Sequence, residues 1–308
     1  MILCCGEALI DMIPTPTSGG ADGFVPHCGG AVYNSAIALG RLGAQTGMLT
    51  GLSGDMFGQI LIAGLRASHV DVSHVITSEC PTTLAFVRLV DGNATYEFYD
   101  ENSAGRMLEP RDMPALSDEV TALYFGGISL ASEPAADAYA NLLVQNAGKC
   151  AVMLDPNIRP GFIRDIARYR ARLDRMVALS DVVKVSDEDL NWMISEPLSL
   201  RDKVEVLLDK GASLVILTRG GEGATGFMAG GCEVQVPALK ANIVDTVGAG
   251  DTFNAGVMAK LSELGCLHKA GLVALAPETL RLALTHGARV AAITVSRAGN
   301  NPPWASEL

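Results

Sequence analysis

The sequence predicts an α/β fold in which a mostly parallel sheet lies between helices. From about residue 120, four apolar runs each precede a turn and a plausible helix: ALYFGGISL, CAVMLDPN, DVVKVS and SLVILTRGG. Alternating strands and helices form parallel sheets that helices cover on both faces. Residues 82–100 add two β-rich runs without an intervening helix, which predicts a small second sheet outside the main one.

Composition describes an ordinary globular chain. Its 308 residues, 49% of them hydrophobic and 19% charged, can bury a large core, in one elaborated domain or in two. The formal net charge of -11 argues against nucleic acid and anionic membranes as partners.

Seven cysteines, including the adjacent Cys4 and Cys5, form neither a disulfide framework nor a metal-binding spacing. The N-terminus lacks a basic region, and no apolar run approaches the ~20 residues of a membrane span. We therefore expect a cytoplasmic protein with reduced thiols.

The chain opens with a buried-strand candidate, residues 2–5, followed by the acids Glu7 and Asp11. Alternation in an extended segment would place both carboxylates on one side, although solvated loop acids would look the same. Residues 14–28 are rich in Pro, Gly and Thr, as a linker would be.

Two glycines, Gly29 and Gly30, then lead into a helical pattern from Ala31. Asn34 lies one turn into this helix and faces back toward the glycine turn. Close packing of small residues is the competing interpretation of this pattern. A strand, turn and helix follow, with Asp55 and Gly58 shaping the turn. In the 82–100 segment, Asp91-Gly92-Asn93 is a hairpin signal.

Polar residues cluster where the predicted strands end, which is where ligands bind in open α/β sheets. They are Asp11, Asn157, Arg159, Lys184, Ser186 and the segment Thr218 to Gly223.

A second glycine-rich loop, DTVGAGDTFNAG from Asp245 to Gly256, precedes the apolar helical run FNAGVMAKLSEL. Gly248 and Gly250 permit a tight turn, and unpaired amides at a helix start bind anions. Asp251 would repel a phosphate, so it either caps the helix, as Thr252 could, or acts as a base beside the anion site.

Two nucleotide-binding signatures receive little support. The run GGEGATG fits a dinucleotide fingerprint, but the following FMAGGCEVQVPA favours β-structure where that fold requires a helix. The P-loop pattern GxxxxGK[ST] does not occur in the sequence.

The motif DTVGAGD followed by TFNAG resembles the C-terminal signature of the ribokinase-like (PfkB) sugar kinases. CGGAVYNSAIALGRLG resembles that family's first signature, and AAITVSRAGNNPPW its terminal pattern. The resemblance covers nearly the whole chain. It implies one ribokinase-like three-layer α/β/α domain over residues 1–308, with a β-sheet lid whose strands lie at roughly 11–30 and 82–105.

The resemblance also implies residue roles. Asp251 would be the catalytic base, and the amides of Ala249, Gly250 and Asp251 would form the anion hole, with Gly248 shaping its turn. Asp11, Gly30 and Asn34 would hold the sugar, and Arg159 would reach the sugar or the phosphates unless it forms a surface ion pair. Lys184, Thr218, Gly220 and Gly223 would line the nucleotide.

The implied cofactors are ATP, Mg²⁺ and K⁺, with a K⁺ site near Asp245 and Val247 that the residues alone do not require. The family's Asn-x-x-Glu is replaced here by Ser186-Asp187-Glu188-Asp189, so the acid that organises Mg²⁺ stays open. The resemblance further implies a homodimer formed through the lid strands.

Four segments look most like bacterial fructokinases: GEALIDMIP, GFVPHCGGAVYN, YFGGISLASEPAA and NNPPW. They imply phosphorylation of fructose to fructose 6-phosphate, with ribokinase and 2-keto-3-deoxygluconate kinase as alternatives. The exposed aromatics Tyr96 and Phe98 would either stack on the sugar or pack within their strand. A non-catalytic sugar or nucleotide sensor on the same fold and a dehydrogenase using GGEGATG are the competing functions.

Overall fold

The computed structural model describes residues 1–20, 22–90 and 93–308. Its strands are β1 (Ile2–Cys5), β2 (Leu9–Pro16), β3 (Asp22–Gly29), β4 (Thr46–Leu49), β5 (Gly51–Ser53), β6 (Ile76–Ser78), β7 (Leu84–Val90), β8 (Asn93–Tyr99), β9 (Ala122–Gly126), β10 (Ala151–Asp155), β11 (Val182–Ser186), β12 (Leu214–Thr218), β13 (Ala224–Met228) and β14 (Glu233–Val236). Its α-helices are α1 (Ala31–Arg41), α2 (Met56–Ala67), α3 (Ala135–Asn146), α4 (Ile166–Ala178), α5 (Asp187–Met193), α6 (Leu200–Asp209), α7 (Ala249–Glu263), α8 (Lys269–Val273) and α9 (Pro277–Val295).

Eight strands form the central sheet, in the order β14-β13-β12-β11-β10-β9-β1-β4. The strands from β12 to β4 pair in parallel, whereas β13 and β14 are antiparallel additions at one edge. The predicted apolar runs are the strands β1, β9, β10, β11 and β12, which confirms the mostly parallel sheet. Their carboxyl ends meet along one edge.

Helices cover both faces of this sheet. Alternate residues of β1 belong to different cores: Ile2 and Cys4 pack into one, and Leu3 and Cys5 into the other. A strand buried on both faces reads as a continuous apolar run, because each face meets a helix layer. The three-layer α/β/α prediction is therefore correct.

The small second sheet has four strands in the order β3-β2-β7-β8. Residues 14–28, whose composition is that of a linker, supply most of β3 and the end of β2. Strands β7 and β8 pair antiparallel, as the hairpin prediction requires, while Asp91 and Gly92 of the predicted turn lie outside the described residues.

The glycine run after β12 does not open a helix. Gly220–Glu222 forms a single 3₁₀ turn, and the chain returns as β13, antiparallel to β12. A dinucleotide fold needs a crossover helix at this point. The structure therefore removes the basis for the dehydrogenase hypothesis.

None of the described helices is long and apolar enough to cross a membrane. All seven cysteines are free thiols, as predicted, and Cys4, Cys5 and Cys150 are buried.

Candidate active site

A cavity of about 1090 Å³ opens at the carboxyl edge of the parallel strands, beneath the second sheet. The two sheets contribute opposite walls, since Asp11 and Phe98 come from the small sheet and Lys184 from the large one. Of the residues that the sequence indicated, the lining includes Asp11, Gly30, Asn34, Arg159, Lys184, Val247, Gly248, Ala249, Gly250 and Asp251.

The floor of this cavity is the start of helix α7. The first helical hydrogen bond of α7 runs from the Thr252 amide to the Gly248 carbonyl at 2.9 Å. Before it, the Ala249 amide donates to the Thr246 carbonyl at 3.3 Å. The amides of Gly250 and Asp251 precede the first helical bond and donate to no acceptor among the described residues. Such amides, with the helix dipole behind them, form an anion site.

Gly248 makes this turn possible. Its φ of 76° lies in the left-handed region, and a Cβ there would stand 2.2 Å from the Asn300 side-chain oxygen. Both the backbone angle and the close approach exclude a larger residue.

The Asp251 side chain does not cap its helix. Asp251 is the third residue of α7, and Gly248 occupies the cap position without a side-chain hydrogen bond. Instead, the Asp251 carboxylate accepts from Asn34 Nδ2 at 2.9 Å and from Asn157 Nδ2 at 3.5 Å. The capping interpretation of Asp251 and Thr252 is therefore wrong.

Burial raises the pKa of Asp251 to about 7. The Asn34 hydrogen bond and the charge of Lys184 lower the pKa, while the charges of Asp155 and Glu7 raise it further. Burial prevails because the carboxylate loses its water shell. A carboxylate with this pKa can accept a proton near neutral pH.

Asn34 owes its position to the turn at Gly30, which has a φ of 105°. The Glu7 carboxylate fixes that turn by accepting from the amides of Ala31 at 2.9 Å and Ser129 at 3.2 Å. Asn34 Oδ1 is therefore a buried acceptor without a hydrogen-bond partner among the described residues, on a side chain that lines the cavity.

Glu7 and Asp11 both line the cavity, but they serve different purposes. Glu7 lies between β1 and β2 and is engaged by two amides, so it supports the site's architecture. Asp11 lies within β2 over Gly29, and burial raises its pKa to about 6. Asp11 is therefore the acid of this pair that suits ligand hydroxyls.

Arg159 lines the cavity from the loop after β10, and its side chain donates to the carbonyl oxygen of Ile158 at 3.1 Å. Within the part of the chain that the structure describes, no ion pair involves Arg159. Its guanidinium can therefore take an anionic partner.

Lys184, at the middle of β11, is 5% exposed and donates to Asp155 Oδ2 at 3.0 Å. Its Nζ lies 3.4 Å from the point where a Cβ on Gly250 would stand, so its charge lies beside the anion site. The sequence reasoning missed Asp155, which is fully buried, and Asn254, which also binds it. The spacing of Asn254, three residues after Asp251 on one helix, was the available signal.

The segment Ser186–Asp189 begins helix α5. Ser186 Oγ accepts from the Asp189 amide at 2.9 Å, and Asp189 Oδ1 accepts from the Ile158 amide at 2.9 Å. Glu188 is exposed toward the cavity, whereas Asp189 is buried and its pKa is raised by burial. Two acids thus reach the cavity from this segment.

Thr218, Gly220 and Gly223, which were expected to line the nucleotide, are not among the described residues that line this cavity. Thr218 pairs in register with Ser186, which does line it. Gly223 has a φ of 96°, and a Cβ there would meet the Val236 carbonyl at 2.2 Å.

Asp245 ties its loop to the C-terminal segment. Its carboxylate accepts from the amides of Val247 and Gly299, each at 3.0 Å. The carbonyl oxygens of Asp245 and Val247 accept no hydrogen bond within the described part of the chain. In that same part, no cluster of three or more His, Cys, Asp or Glu side chains could hold a metal ion.

Aromatic side chains of the small sheet face the cavity. The ring of Phe98 packs edge-on against Phe162, with centroids 4.3 Å apart, and stacks with Tyr96 at 6.0 Å. Tyr96 remains 51% exposed. Packing against Phe162 and Tyr96 accounts for Phe98, and Tyr96 is left free to contact a ligand.

Comparison with known proteins places this geometry in a family. Residues 1–306 match the model of the pfkB family of carbohydrate kinases. The chain belongs to this family. This pfkB carbohydrate kinase is 49% identical over 285 residues to a fructokinase of Rhizobium leguminosarum bv. trifolii. The aligned residues cover 91% of this chain and 86% of that protein.

Solved structures agree with this assignment. A fructokinase of Xylella fastidiosa with bound ATP superimposes with a TM-score of 0.89 at 26% identity, covering 97% of this pfkB kinase and 93% of that chain. An aminoimidazole riboside kinase of Salmonella enterica, complexed with its riboside and an ATP analogue, gives 0.82 at 25% identity over 97% and 94% of the two chains. Kinases of different substrates share this fold, so the fold alone does not identify the sugar.

Proposed function

We propose that this pfkB kinase transfers the γ-phosphoryl group of ATP to the 6-hydroxyl of fructose. The observation that carries the proposal is Asp251, a buried carboxylate with a pKa of about 7, beside the unpaired amides at the start of α7. A base and an anion site in contact are what in-line phosphoryl transfer to a hydroxyl requires. The identity to the R. leguminosarum fructokinase supports fructose as the acceptor.

In the proposed mechanism, Asp251 takes the proton of the attacking hydroxyl. The unpaired amides of Gly250 and Asp251, in the turn shaped by Gly248, stabilise charge on the phosphoryl group in transit. The Ala249 amide joins them only if it releases the Thr246 carbonyl. Asp11, Gly30 and Asn34 orient the sugar, and orientation supplies much of the rate. Lys184 contacts the phosphates of the nucleotide, and Arg159 binds those phosphates or the sugar. Thr218, Gly220 and Gly223, which are not in the cavity lining, contact the part of the nucleotide that extends beyond the cavity.

The residues present fit the two cations of the proposal. Bound with ATP, Mg²⁺ would neutralise phosphate charge, and Asp189 or Glu188 would hold its water shell. For K⁺, Asp245 uses its carboxylate oxygens on two amides, so the free carbonyl oxygens of Asp245 and Val247 would be its ligands.

We also propose that β2, β3, β7 and β8 act as a lid within a single domain, and that the protein is a cytoplasmic homodimer joined through these strands. Support for the dimer comes from large apolar side chains that are exposed on this sheet outside the cavity lining: Phe24, Val25 and Tyr99. Sedimentation of the purified protein tests the dimer separately from catalysis.

The test of the acceptor is ATP consumption across fructose, ribose, 2-keto-3-deoxygluconate, glucose, adenosine and tagatose, with Mg²⁺ and K⁺ present. We expect fructose to give the highest kcat/KM and fructose 6-phosphate as the product. Higher turnover of another sugar would identify that sugar as the acceptor and leave the proposed mechanism unchanged. No turnover with any of them would favour the sensor hypothesis.

A further inference from the structure

A fully buried carboxylate lies beneath the start of helix α7. Asp155, at the end of β10, accepts two hydrogen bonds at Oδ2, from Lys184 Nζ at 3.0 Å and from Asn254 Nδ2 at 2.6 Å. Asn254 is itself fully buried and lies three residues after Asp251 on α7. The carboxylate therefore holds the helix that presents both Asp251 and the anion site.

The same helix turn is held from two further elements. Asn254 Nδ2 also donates to the hydroxyl of Tyr124, on β9, at 3.1 Å. Ser35 Oγ, on α1, approaches that hydroxyl at 3.4 Å and donates to the backbone carbonyl of Asp251 at 3.1 Å. Tyr124 is fully buried, and burial raises its pKa well above the usual range, so it stays neutral.

Asp155 also controls the other side of the Asp251 carboxylate. Its Oδ1 accepts from the backbone amide of Asn157 at 3.2 Å. Asn157 has a left-handed φ of 41°, which a residue other than glycine adopts at a cost, and its side chain reaches Asp251 Oδ1. One carboxylate thus fixes the loop and the helix that meet at Asp251.

We propose that Asp155, acting through Asn254 and Asn157, is a positioning residue that sets the place and the charge balance of Asp251 during phosphoryl transfer. This inference rests on the proposed function, because it assigns the network a role in that reaction. A carboxylate between helix and loop holds the base in line with the sugar, and a displacement of about 1 Å can cost about a hundredfold in rate.

The charge of Asp155 should also affect the pKa of Asp251, which a purely structural role of Asp155 would not do. The ionisable groups that face Asp251 are Glu7 after β1, Tyr124 on β9, Asp155 on β10 and Lys184 on β11. Burial first, then Asp155 and Glu7, raise the pKa of Asp251, while Lys184 lowers it. Asp155→Asn removes one negative charge that raises the pKa of Asp251 and keeps the positive charge of Lys184 that lowers it, so the substitution should lower that pKa.

The experiment measures kcat, the KM values and the pH profile of kcat/KM for Asp155→Asn with the sugar that the wild type phosphorylates. We expect kcat to fall about 10-fold or more, with both KM values within about threefold. We also expect the acid limb of the profile to move to lower pH by about half a unit or more. An unchanged kcat, or an acid limb that stays in place, would overturn the proposal.

Asp181→Asn is the matched control. Asp181 is another buried acid beside a strand, paired with Lys269 at 2.8 Å and with the Val152 amide at 2.7 Å, away from the cavity. We expect this variant to lose thermal stability while its kcat and pH profile match the wild type. Loss of kcat with a displaced acid limb in Asp181→Asn too would mean that any buried Asp–Lys pair acts this way, and would overturn the assignment.

Tyr124→Phe covers the case in which Asp155→Asn does not fold. It removes one hydroxyl from the network and no charge, so we expect kcat to fall about threefold or more with the acid limb unmoved. Wild-type kcat in Tyr124→Phe would contradict the network's role. Failure of the wild type to phosphorylate any sugar would instead refute the proposed function, so the two failures are distinguishable.

Discussion

At the scale of single residues, burial makes Asp251 a useful base. Asp251 is 7% exposed, and its carboxylate accepts hydrogen bonds from two asparagines, without a cation in direct contact among the described residues. Loss of hydration raises the pKa of Asp251 to about 7, which leaves it basic enough to take a hydroxyl proton near neutral pH. The asparagines therefore orient the carboxylate and adjust its pKa without neutralising its charge.

Asn34→Ala tests this tuning. Because the hydrogen bond from Asn34 lowers the pKa of Asp251, its removal should move the acid limb of kcat/KM to higher pH. The sugar KM should rise about 10-fold, since Asn34 Oδ1 would no longer accept a sugar hydroxyl.

Asn146→Ala is the control for this variant, because Asn146 is also buried in a helix but donates only to the Leu142 carbonyl at 2.8 Å. An unchanged sugar KM in Asn34→Ala, together with an unmoved acid limb, would refute both roles of Asn34.

Gly248→Ala tests the anion site. A Cβ would force a left-handed alanine against Asn300, so the loop must shift and the amides must move with it. We expect kcat to fall about 10-fold or more. Gly148→Ala, where no atom lies within 4 Å, should match the wild type. Near-wild-type kcat in Gly248→Ala would mean that the amides are not held by this turn.

At the scale of elements, the C-terminal segment supports the glycine loop from outside. Arg41 of α1 donates to Asn301 Oδ1 at 2.8 Å and to the Pro302 carbonyl at 2.9 Å, and its guanidinium lies 5.3 Å from the Trp304 ring. Just before these residues, Gly299 binds Asp245, and Asn300 abuts Gly248. Helix α1 and the loop before α7 are thus joined through the end of the chain.

Trp304→Ala should loosen this connection. Loss of the ring from Arg41 and from His69, whose ring lies 5.5 Å away, should destabilise the protein by about 1 to 3 kcal/mol. Because Asn300 would be held less firmly, kcat should also fall, by about threefold or more. Thermal melting and initial rates measure the two effects. Trp304→Phe keeps an aromatic ring and should retain most of the stability and most of kcat. If Trp304→Ala lowers stability but not kcat, the C-terminal segment does not support the active site.

At the scale of the whole molecule, the residue pattern was sufficient to predict the central sheet but not every strand of the second sheet. Strands β1, β9, β10, β11 and β12 are buried on both faces, so each leaves a continuous apolar run in the sequence. Strand β3 leaves none, because its residues are mostly exposed and its partner strands supply the pairing. Only the resemblance to the family placed strands there.

The site shows the same division. Asp251 and Gly248 could be predicted, because a glycine turn at a helix start carries its chemistry within a few consecutive residues. Asp155 could not, and Asn254 was indicated only by its spacing from Asp251, since their role depends on β9, β10, β11 and α1 converging on one helix turn. Contacts between distant segments leave no local pattern.

The most direct test of the account is kcat/KM for fructose from about pH 5 to 9 in the wild type and in Asp251→Asn. We predict that the wild-type value halves near pH 7 and falls tenfold for each further unit of acidity, because the base must be ionised. Above pH 7, Asp251→Asn should lose about 100- to 10,000-fold relative to the wild type, and this difference should shrink below pH 7 as the wild-type base becomes protonated.

The variant should remain folded. Because the folded-state pKa is raised, Asp251 costs the folded state its full amount of stability above about pH 7, and this cost declines as the pH falls from about 7 to the unfolded value of 3.8. Asp251→Asn should therefore melt no lower than the wild type at neutral pH. Near-wild-type turnover in this folded variant, or a wild-type profile that stays flat below pH 7, would contradict the assignment of Asp251 as the base.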